Sequence, residues 1–411
     1  MSARKSLFCI LALAFSVLLL EGILSGLALV SSDFRFHLTP SWKRNVLRPD
    51  PVFGFRMEST YPGNDARGFR NPKALSHCDI LAVGDSMTYG FAAPADKCWP
   101  RVLGSLTSSE VYNMSCGDYS PCEYNMLLDE GLKLSPKHVV ICLYLGNDMA
   151  NSYRTVYMHG RAKEFDTCHE TTRLAIQQAE QDRPFGAADR QQEDRMRAKT
   201  SSEKPKSFAR TLLANHSSLY ATVRFAKETL SSQQSDVSLG ESADMDTVER
   251  FRSVPKIFIY SGNSELATAF VDPSYYVMAV DLDDPRIQEG YRISMAALDA
   301  ARTKVESANA KLSIAVMPTK HWVYAEHVRK ASDNQGDRDA YDHLVEKEEA
   351  LWEQVRMHFD ANGIEYLHLG EALRELLQQG TRPYPPSTNT HPNATGYSAV
   401  AEAIADGLDI R

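Results

Sequence analysis

The longest apolar stretch is the first one, SLFCILALAFSVLLLEGILSGLALV (6–30), about 25 residues broken by a single charge, Glu21. A membrane-spanning helix needs about 20 apolar residues, whereas the core of a cleaved signal has about 7–15. The stretch therefore reads as an uncleaved signal-anchor over 1–31, with a cleaved signal peptide or a buried amphipathic helix as alternatives. Gly26-Leu27-Ala28 is a poor cleavage site. Arg4 and Lys5 precede the span as closely as Arg35, Lys43, Arg44 and Arg48 follow it, so counting positive flanks does not orient it. With so short a segment ahead of the helix, export of the large C-terminal part is expected, giving a single-pass protein with an extracytoplasmic domain.

Beyond the anchor, 32–78 is a polar, Pro/Gly-punctuated juxtamembrane lead-in with little regular structure expected. DILAVGDS (79–86) reads as a buried strand feeding a turn, CWPRVLGSL as a helix, and EVYNMSCG (110–117) as a second strand ending on glycine. HVVICLYLGND (138–148) is apolar almost without interruption, as a parallel strand covered on both faces should be. The pattern then degrades. Residues 170–206 are polar, suiting an exposed helix or a mobile insertion. SFARTLLANHSSLYATVRFAK (207–227) is amphipathic and helical, and SSQQSDVSLGES (231–242) is a linker. IFIYSGN and YYVMAVDLD suggest a small β element.

Alternation resumes with a helix over 292–310 and KLSIAVMPTKHWVY (311–324), read as one apolar strand with a functional end. A helix over 348–363 stopped by Asn-Gly follows, then IEYLHLGEAL as strand and turn, and a closing helix over 395–408. Strand and helix in strict alternation imply a parallel sheet with helices on both faces. The expected organisation is one α/β domain made of 79–150 and 291–411, interrupted by an insertion over 151–290.

Composition bounds the picture without sharpening it. The 411 residues are 43% hydrophobic, ample for a sizeable core, and a net charge of −8 argues against a nucleic-acid partner. No P-loop, dinucleotide turn or zinc-type spacing occurs. Seven cysteines all precede residue 170. Outside the cytoplasm the six beyond Cys9 could form disulfides, Cys116–Cys122 closing the shortest loop, or serve as small buried apolar residues.

In open parallel sheets, ligands gather beyond the carboxyl ends of the strands. Ser86, Gly117 and Asn147 follow the first three strands, and His391 lies in STNTHPNATGY (387–397), ahead of the last helix. Alone, each has an ordinary explanation as a cap or turn residue. Together they match acyl transfer. A serine hydroxyl needs a base, histidine suits neutral pH, and the oxyanion needs fixed donors. The Ser86 and Gly117 backbone N–H groups and the Asn147 amide could supply three. Asp85 and Asp148 read as supports for the two turns. Tyr89, Trp99 and Tyr119 line a pocket or fill the core, and Lys320 and His321 face substrate or are simply exposed.

GDSMTYG (84–90), the isolated Gly117, GND (146–148) and HPNATGY (391–397) resemble the four blocks of the SGNH, or GDSL-type, hydrolases. The resemblance implies a flavodoxin-like three-layer α/β/α sandwich and ester chemistry through an acyl-serine, without metal or organic cofactor. By position, Ser86 matches the nucleophile, Gly117 and Asn147 the oxyanion donors, and His391 the base. RGFRNP and MPTKHWVY further resemble the membrane-anchored bacterial branch related to polysaccharide O-acetylation. That implies a periplasmic domain acting on O-acetyl groups of an envelope or exported polysaccharide. A lipid ester or a non-catalytic role in binding acylated glycans are the competing expectations.

One departure stands out. The family places an aspartate two or three residues before the histidine, where this chain has Asn389 and Thr388. Three readings remain open: Asn389 accepts the Nδ1 proton of His391, a backbone carbonyl does so and leaves a Ser86–His391 dyad, or the site is impaired. In a serine protease, Asp→Asn costs ~10⁴ in kcat because the amide holds the wrong tautomer.

Overall fold

The computed structural model describes residues 3–30, 34, 46–185, 217–223, 257–331, 334 and 336–408. The sequence expectations for 231–242 and for most of 207–227 lie outside these residues. Two compact units are present, one comprising Met1–Asp50, Phe55–Gly68 and Pro184–Asp236, the other Pro51–Gly54, Phe69–Arg183 and Val237–Arg411.

In the first unit, helix α1 (Ala3–Val30) contains a span, Leu11–Val30, of 20 residues and mean hydropathy 2.2, long and apolar enough to cross a membrane. Its one interior charge is not left bare. Glu21 accepts hydrogen bonds from Ser217 Oγ at 2.8 Å and from the backbone N–H groups of Ser218 and Leu219. Strands β1 (Leu47–Asp50) and β2 (Gly54–Met57) pair as a two-stranded sheet, so the lead-in holds more regular structure than its punctuation suggested.

Along the second unit run β3 (Ile80–Gly84), α2 (Ser86–Tyr89), α3 (Trp99–Thr107), β4 (Val111–Ser115), α4 (Pro121–Gly131), β5 (His138–Tyr144), α5 (Asp148–Tyr153), α6 (Glu170–Asp182), β6 (Ile257–Tyr260) and β7 (Thr268–Val271). They are followed by α7 (Pro273–Val280), α8 (Pro285–Ser307), β8 (Lys311–Met317), α9 (Lys320–Lys330), α10 (Arg338–Asn362), β9 (Glu365–His368), α11 (Gly370–Gln378) and α12 (Ala394–Gly407). The central sheet has the order β4-β3-β5-β8-β9, every neighbouring pair parallel. Numbered among themselves, those strands run 2-1-3-4-5, the flavodoxin-like order, whose switch point falls between β3 and β5.

Every residue of β3, β4 and β5 is buried, which accounts for their unbroken apolar character. Successive side chains serve opposite layers. Ile80, Ala82, Val140, Cys142, Ala315 and Met317 join one core with residues of α3, α9, α11 and α12. Leu81 points the other way, toward Gly131 of α4, on the side where α4, α5 and α8 pack together. The fold is a three-layer α/β/α sandwich with an N-terminal apolar helix.

Two elements differ from the sequence reading. The YYVMAV of YYVMAVDLD lies in helix α7, not β structure. Asp272 caps it by accepting from the Ser274 N–H at 3.0 Å, and Pro273 sits at the first helical position, where its missing N–H costs nothing. KLSIAVMPTKHWVY is not one strand. It leaves the sheet after Met317, and Thr319 Oγ1 accepts from the Trp322 N–H at 3.1 Å to start α9. The six cysteines beyond Cys9 are free thiols, five of them buried.

Candidate active site

The chain turns sharply at the carboxyl end of β3. Asp85, fully buried, caps α2 by accepting from the Met87 N–H at 2.8 Å, and Ser86 Oγ donates to its other oxygen at 3.3 Å. Gly84 is required here, because a Cβ would lie 2.2 Å from Thr88 Oγ1 and 3.2 Å from the Cys142 carbonyl oxygen. Burial pushes the Asp85 carboxyl up to about 7, with Asp118 adding in the same direction. The loop after α2 is clamped from behind by buried Arg70. Its Nη1 donates to the carbonyls of Tyr89 (3.1 Å) and Gly90, and its Nη2 to that of Ala93 at 2.8 Å.

Gly117 and Asn147 sit at the ends of β4 and β5, on either side of β3, as the switch point demands. A Cβ on Gly117 would lie 3.8 Å from Ser86 Cβ and 3.0 Å from Phe91 Cε2, so the bare backbone at 117 faces the turn that carries Ser86. Asn147 buries its side-chain oxygen without a hydrogen-bond partner among the described residues. The amide nitrogen is the end that keeps accessible surface. Asp148 is fully buried and holds the turn, accepting from Tyr124 Oη at 3.0 Å and from the Tyr144 N–H at 2.9 Å. Burial, helped by Asp85, holds its carboxyl well above the usual range. Both aspartates are thus structural supports, and Tyr89, Trp99 and Tyr119 are core residues.

Asn389 faces His391 with its oxygen. Oδ1 accepts from the His391 backbone N–H at 3.0 Å and lies 2.9 Å from Nδ1. The first bond fixes which end of the amide points inward, since only the oxygen can accept from a backbone N–H. The ring nitrogen 2.9 Å away must then carry its proton, leaving Nε2 unprotonated as a base. Burial pushes the imidazole down to about 4, so it is neutral at physiological pH. Thr388, the other residue at the family's aspartate positions, has no such contact with His391 among the described residues.

The loop bearing this pair is anchored from below. Lys320 is fully buried, and its Nζ lies within hydrogen-bond distance of four backbone carbonyl oxygens that share its N–H donors: Ser387 (2.8 Å), Pro385 (3.1 Å), Ala269 (3.1 Å) and Asn389 (3.3 Å). The β6–β7 hairpin from the 151–290 insertion supports the same loop, with the Ala269 N–H donating to Pro386 O at 2.9 Å and Thr268 Oγ1 to Pro385 O at 3.1 Å. Tyr276 Oη donates to Thr390 Oγ1 at 3.2 Å. His321, also fully buried, bonds the Val271 carbonyl through Nε2 at 3.1 Å. The expectation that Lys320 and His321 are exposed or substrate-facing is therefore corrected: both are interior, because α9 begins at Lys320 and turns these residues inward.

Ser86 and His391 share a neighbour rather than a bond. Among the described residues no hydrogen bond joins them. The Phe91 ring stands edge-on to His391 at 5.7 Å between centroids and also borders Gly117. Phe91, the clamping role of Arg70 within RGFRNP and the pinning role of Lys320 escaped the sequence reading. The one cue for Lys320 was a lysine set between the apolar runs AVM and WVY.

No family model matches the chain, and no curated protein sequence does. Solved structures do resemble it. A protein from Desulfitobacterium hafniense DCB-2, described as lipolytic and of the G-D-S-L family, is 12% identical over 80% of this chain and 98% of its own, with a TM-score of 0.35. A GDSL-like lipase from Parabacteroides merdae ATCC 43184 is 10% identical over 83% of this chain and 100% of its own, TM-score 0.34. Phospholipase A1 from Streptomyces albidoflavus NA297 is 12% identical, covering 80% and 97%, TM-score 0.33. The fold assignment rests on the strand order described above.

Proposed function

We propose that this chain is a membrane-anchored serine esterase or O-acyltransferase of the SGNH type, working through an acyl-serine without metal or organic cofactor. The observation that carries this reading is the Asn389 oxygen, which accepts from both the backbone and the ring of His391 and so presents a neutral, correctly protonated base. In the reaction, His391 Nε2 takes the Ser86 hydroxyl proton as Oγ attacks the ester carbonyl. The oxyanion rests on the Ser86 and Gly117 backbone N–H groups and the Asn147 amide. The ester C–O bond breaks, the proton passes from His391 to the departing alkoxide, and water or a sugar hydroxyl later releases the acyl group by the reverse steps. The substrate we favour is a short acyl ester on carbohydrate, acetyl on an envelope or exported polysaccharide. The apolar N-terminal helix supports a site held at a membrane, with the catalytic domain outside the cytoplasm.

The test uses the full-length chain in detergent with a small aryl acetate, alongside Ser86→Ala. Equal turnover by both proteins would remove Ser86 from the reaction. A second reading, a non-catalytic cleft that binds acylated glycans, is favoured by one observation: the Ser86 hydroxyl bonds Asp85 rather than His391. A serine-directed phosphonate separates the two. Labelling of Ser86 in folded protein supports catalysis, and its failure supports binding alone.

A further inference from the structure

One aromatic ring in the site has no part in the steps above. Phe91 follows Gly90, whose φ of +85° turns the chain back toward the nucleophile. Its half-buried ring lies 4.5 Å from that of Tyr89 and 5.7 Å from that of His391, centroid to centroid. On a further side is Gly117, where even a Cβ would come within 3.0 Å of Phe91 Cε2 while standing 3.8 Å from Ser86 Cβ. One ring therefore abuts the base, the oxyanion glycine and the space beside the nucleophile.

The segment that carries the ring is held firmly. Arg70 is 9% exposed and donates to carbonyls on both sides of residue 91, those of Tyr89 and Gly90 before it and that of Ala93 after it. Its guanidinium also lies over the Tyr89 ring at 5.0 Å. Displacing Phe91 would break this clamp and leave a buried cation short of acceptors. The ring therefore projects from a firmly held backbone.

We propose that Phe91 closes the acyl pocket and confines the group carried on Ser86 to acetyl or another short chain, an inference that rests on the acyl-serine reading above. With the acyl carbonyl oxygen directed at the Gly117 N–H, each methylene beyond the α-carbon competes with the ring for the same volume. Protein interiors resist such overpacking, and a pocket that rejects one methylene discriminates by roughly 10- to 200-fold.

The experiment compares full-length wild type, Phe91→Ala and Phe91→Leu in detergent. One series keeps a fixed aryl alcohol and takes the acyl group from acetate through butyrate and hexanoate to octanoate. A second keeps acetate and enlarges the alcohol. Wild type should lose roughly tenfold or more in kcat/KM between acetate and hexanoate. Phe91→Ala should flatten or invert that profile, Phe91→Leu should fall between, and the alcohol series should run parallel in all three. A wild type that accepts octanoate as readily as acetate overturns the proposal, as does an unchanged acyl profile in both variants or a shift confined to the alcohol series. Phosphonate labelling of Ser86 is measured on the same samples. Labelling with an unmoved acyl profile refutes the role of Phe91 and leaves the esterase standing, whereas absence of labelling and turnover in wild type refutes the esterase and this inference with it.

Discussion

Replacing Asn389 by aspartate tests the site at its most unusual contact. In the native protein the Asn389 oxygen lies 2.9 Å from His391 Nδ1 and brings no charge, and burial alone pushes the imidazole down to about 4. A carboxylate at the same position adds an attraction of up to about 4 kcal/mol for the imidazolium, taking an effective dielectric of ~20 near 4 Å. One pKa unit corresponds to about 1.4 kcal/mol, so the histidine should rise by about 1–3 units. The sign follows directly. A base must be neutral to act, so a higher pKa moves the acid limb of kcat/KM to higher pH. Wild type should hold its activity to well below pH 6.5, while Asn389→Asp should begin to fail roughly 1–3 units earlier on acidification. Above that limb the variant should equal or exceed wild type, because the proton already sits on Nδ1 and the carboxylate only adds stabilisation of the imidazolium. Asn389→Ala removes the acceptor for two N–H groups. An unpaired donor costs about 1–3 kcal/mol, which corresponds to roughly a 5- to 150-fold loss in kcat. The assay is acetate release from an aryl acetate across pH, with each variant's melting temperature as a folding control. Superimposable acid limbs for wild type and Asn389→Asp, or full activity in Asn389→Ala, would refute the argument and leave His391 oriented by something other than Asn389.

Three further outcomes follow from neighbouring contacts. Lys320→Met keeps the side-chain length but leaves four carbonyls without their shared donor; the lost bonds and the relieved burial of a polar amine, whose pKa burial holds well below the usual lysine range, offset one another, so the melting temperature should move little while kcat falls about tenfold or more and KM holds. A matching drop in melting temperature with no kinetic change would show that Lys320 serves the core alone. Gly117→Ala should abolish most turnover, since its Cβ meets the Phe91 ring at 3.0 Å, and the double variant Gly117→Ala/Phe91→Ala should recover part of it. Glu348 is fully buried, accepts from the Thr319 N–H at 2.7 Å, and burial pushes its carboxyl up to about 7. A raised carboxyl contributes stability at low pH that is lost as pH climbs toward 7. Glu348→Gln should therefore gain on wild type by up to about 3 kcal/mol between pH 5 and 8, read from chemical denaturation at each pH. A constant difference across that range would refute a neutral Glu348.

Much of the architecture was legible because it depends on local pattern. DILAVG, EVYNMS and HVVICLY announce buried parallel strands, since a strand covered on both faces needs apolar residues at every position. The glycine and Asn-Asp turns after them marked the strand ends at which the proposed site lies. The errors arose where capping decided the conformation. Asp272-Pro273 turned an apolar run into α7, and Thr319 ended β8 and started α9.

The site divides along the same line. Sequence alone supplied the candidate residues, Ser86, Gly117, Asn147, Asn389 and His391, and their order along the strand ends, because side-chain chemistry and chain order are local properties. It left open which atom orients His391, and it read Lys320 as facing substrate or simply exposed. Those answers depend on how the fold places each group: the 2.9 Å approach of the Asn389 oxygen to Nδ1 within a loop that Lys320 Nζ, some 65 residues earlier, holds from below, and the Arg70 clamp behind Phe91. A hydrogen bond needs a particular distance and angle, and only the packed fold brings the partners into them.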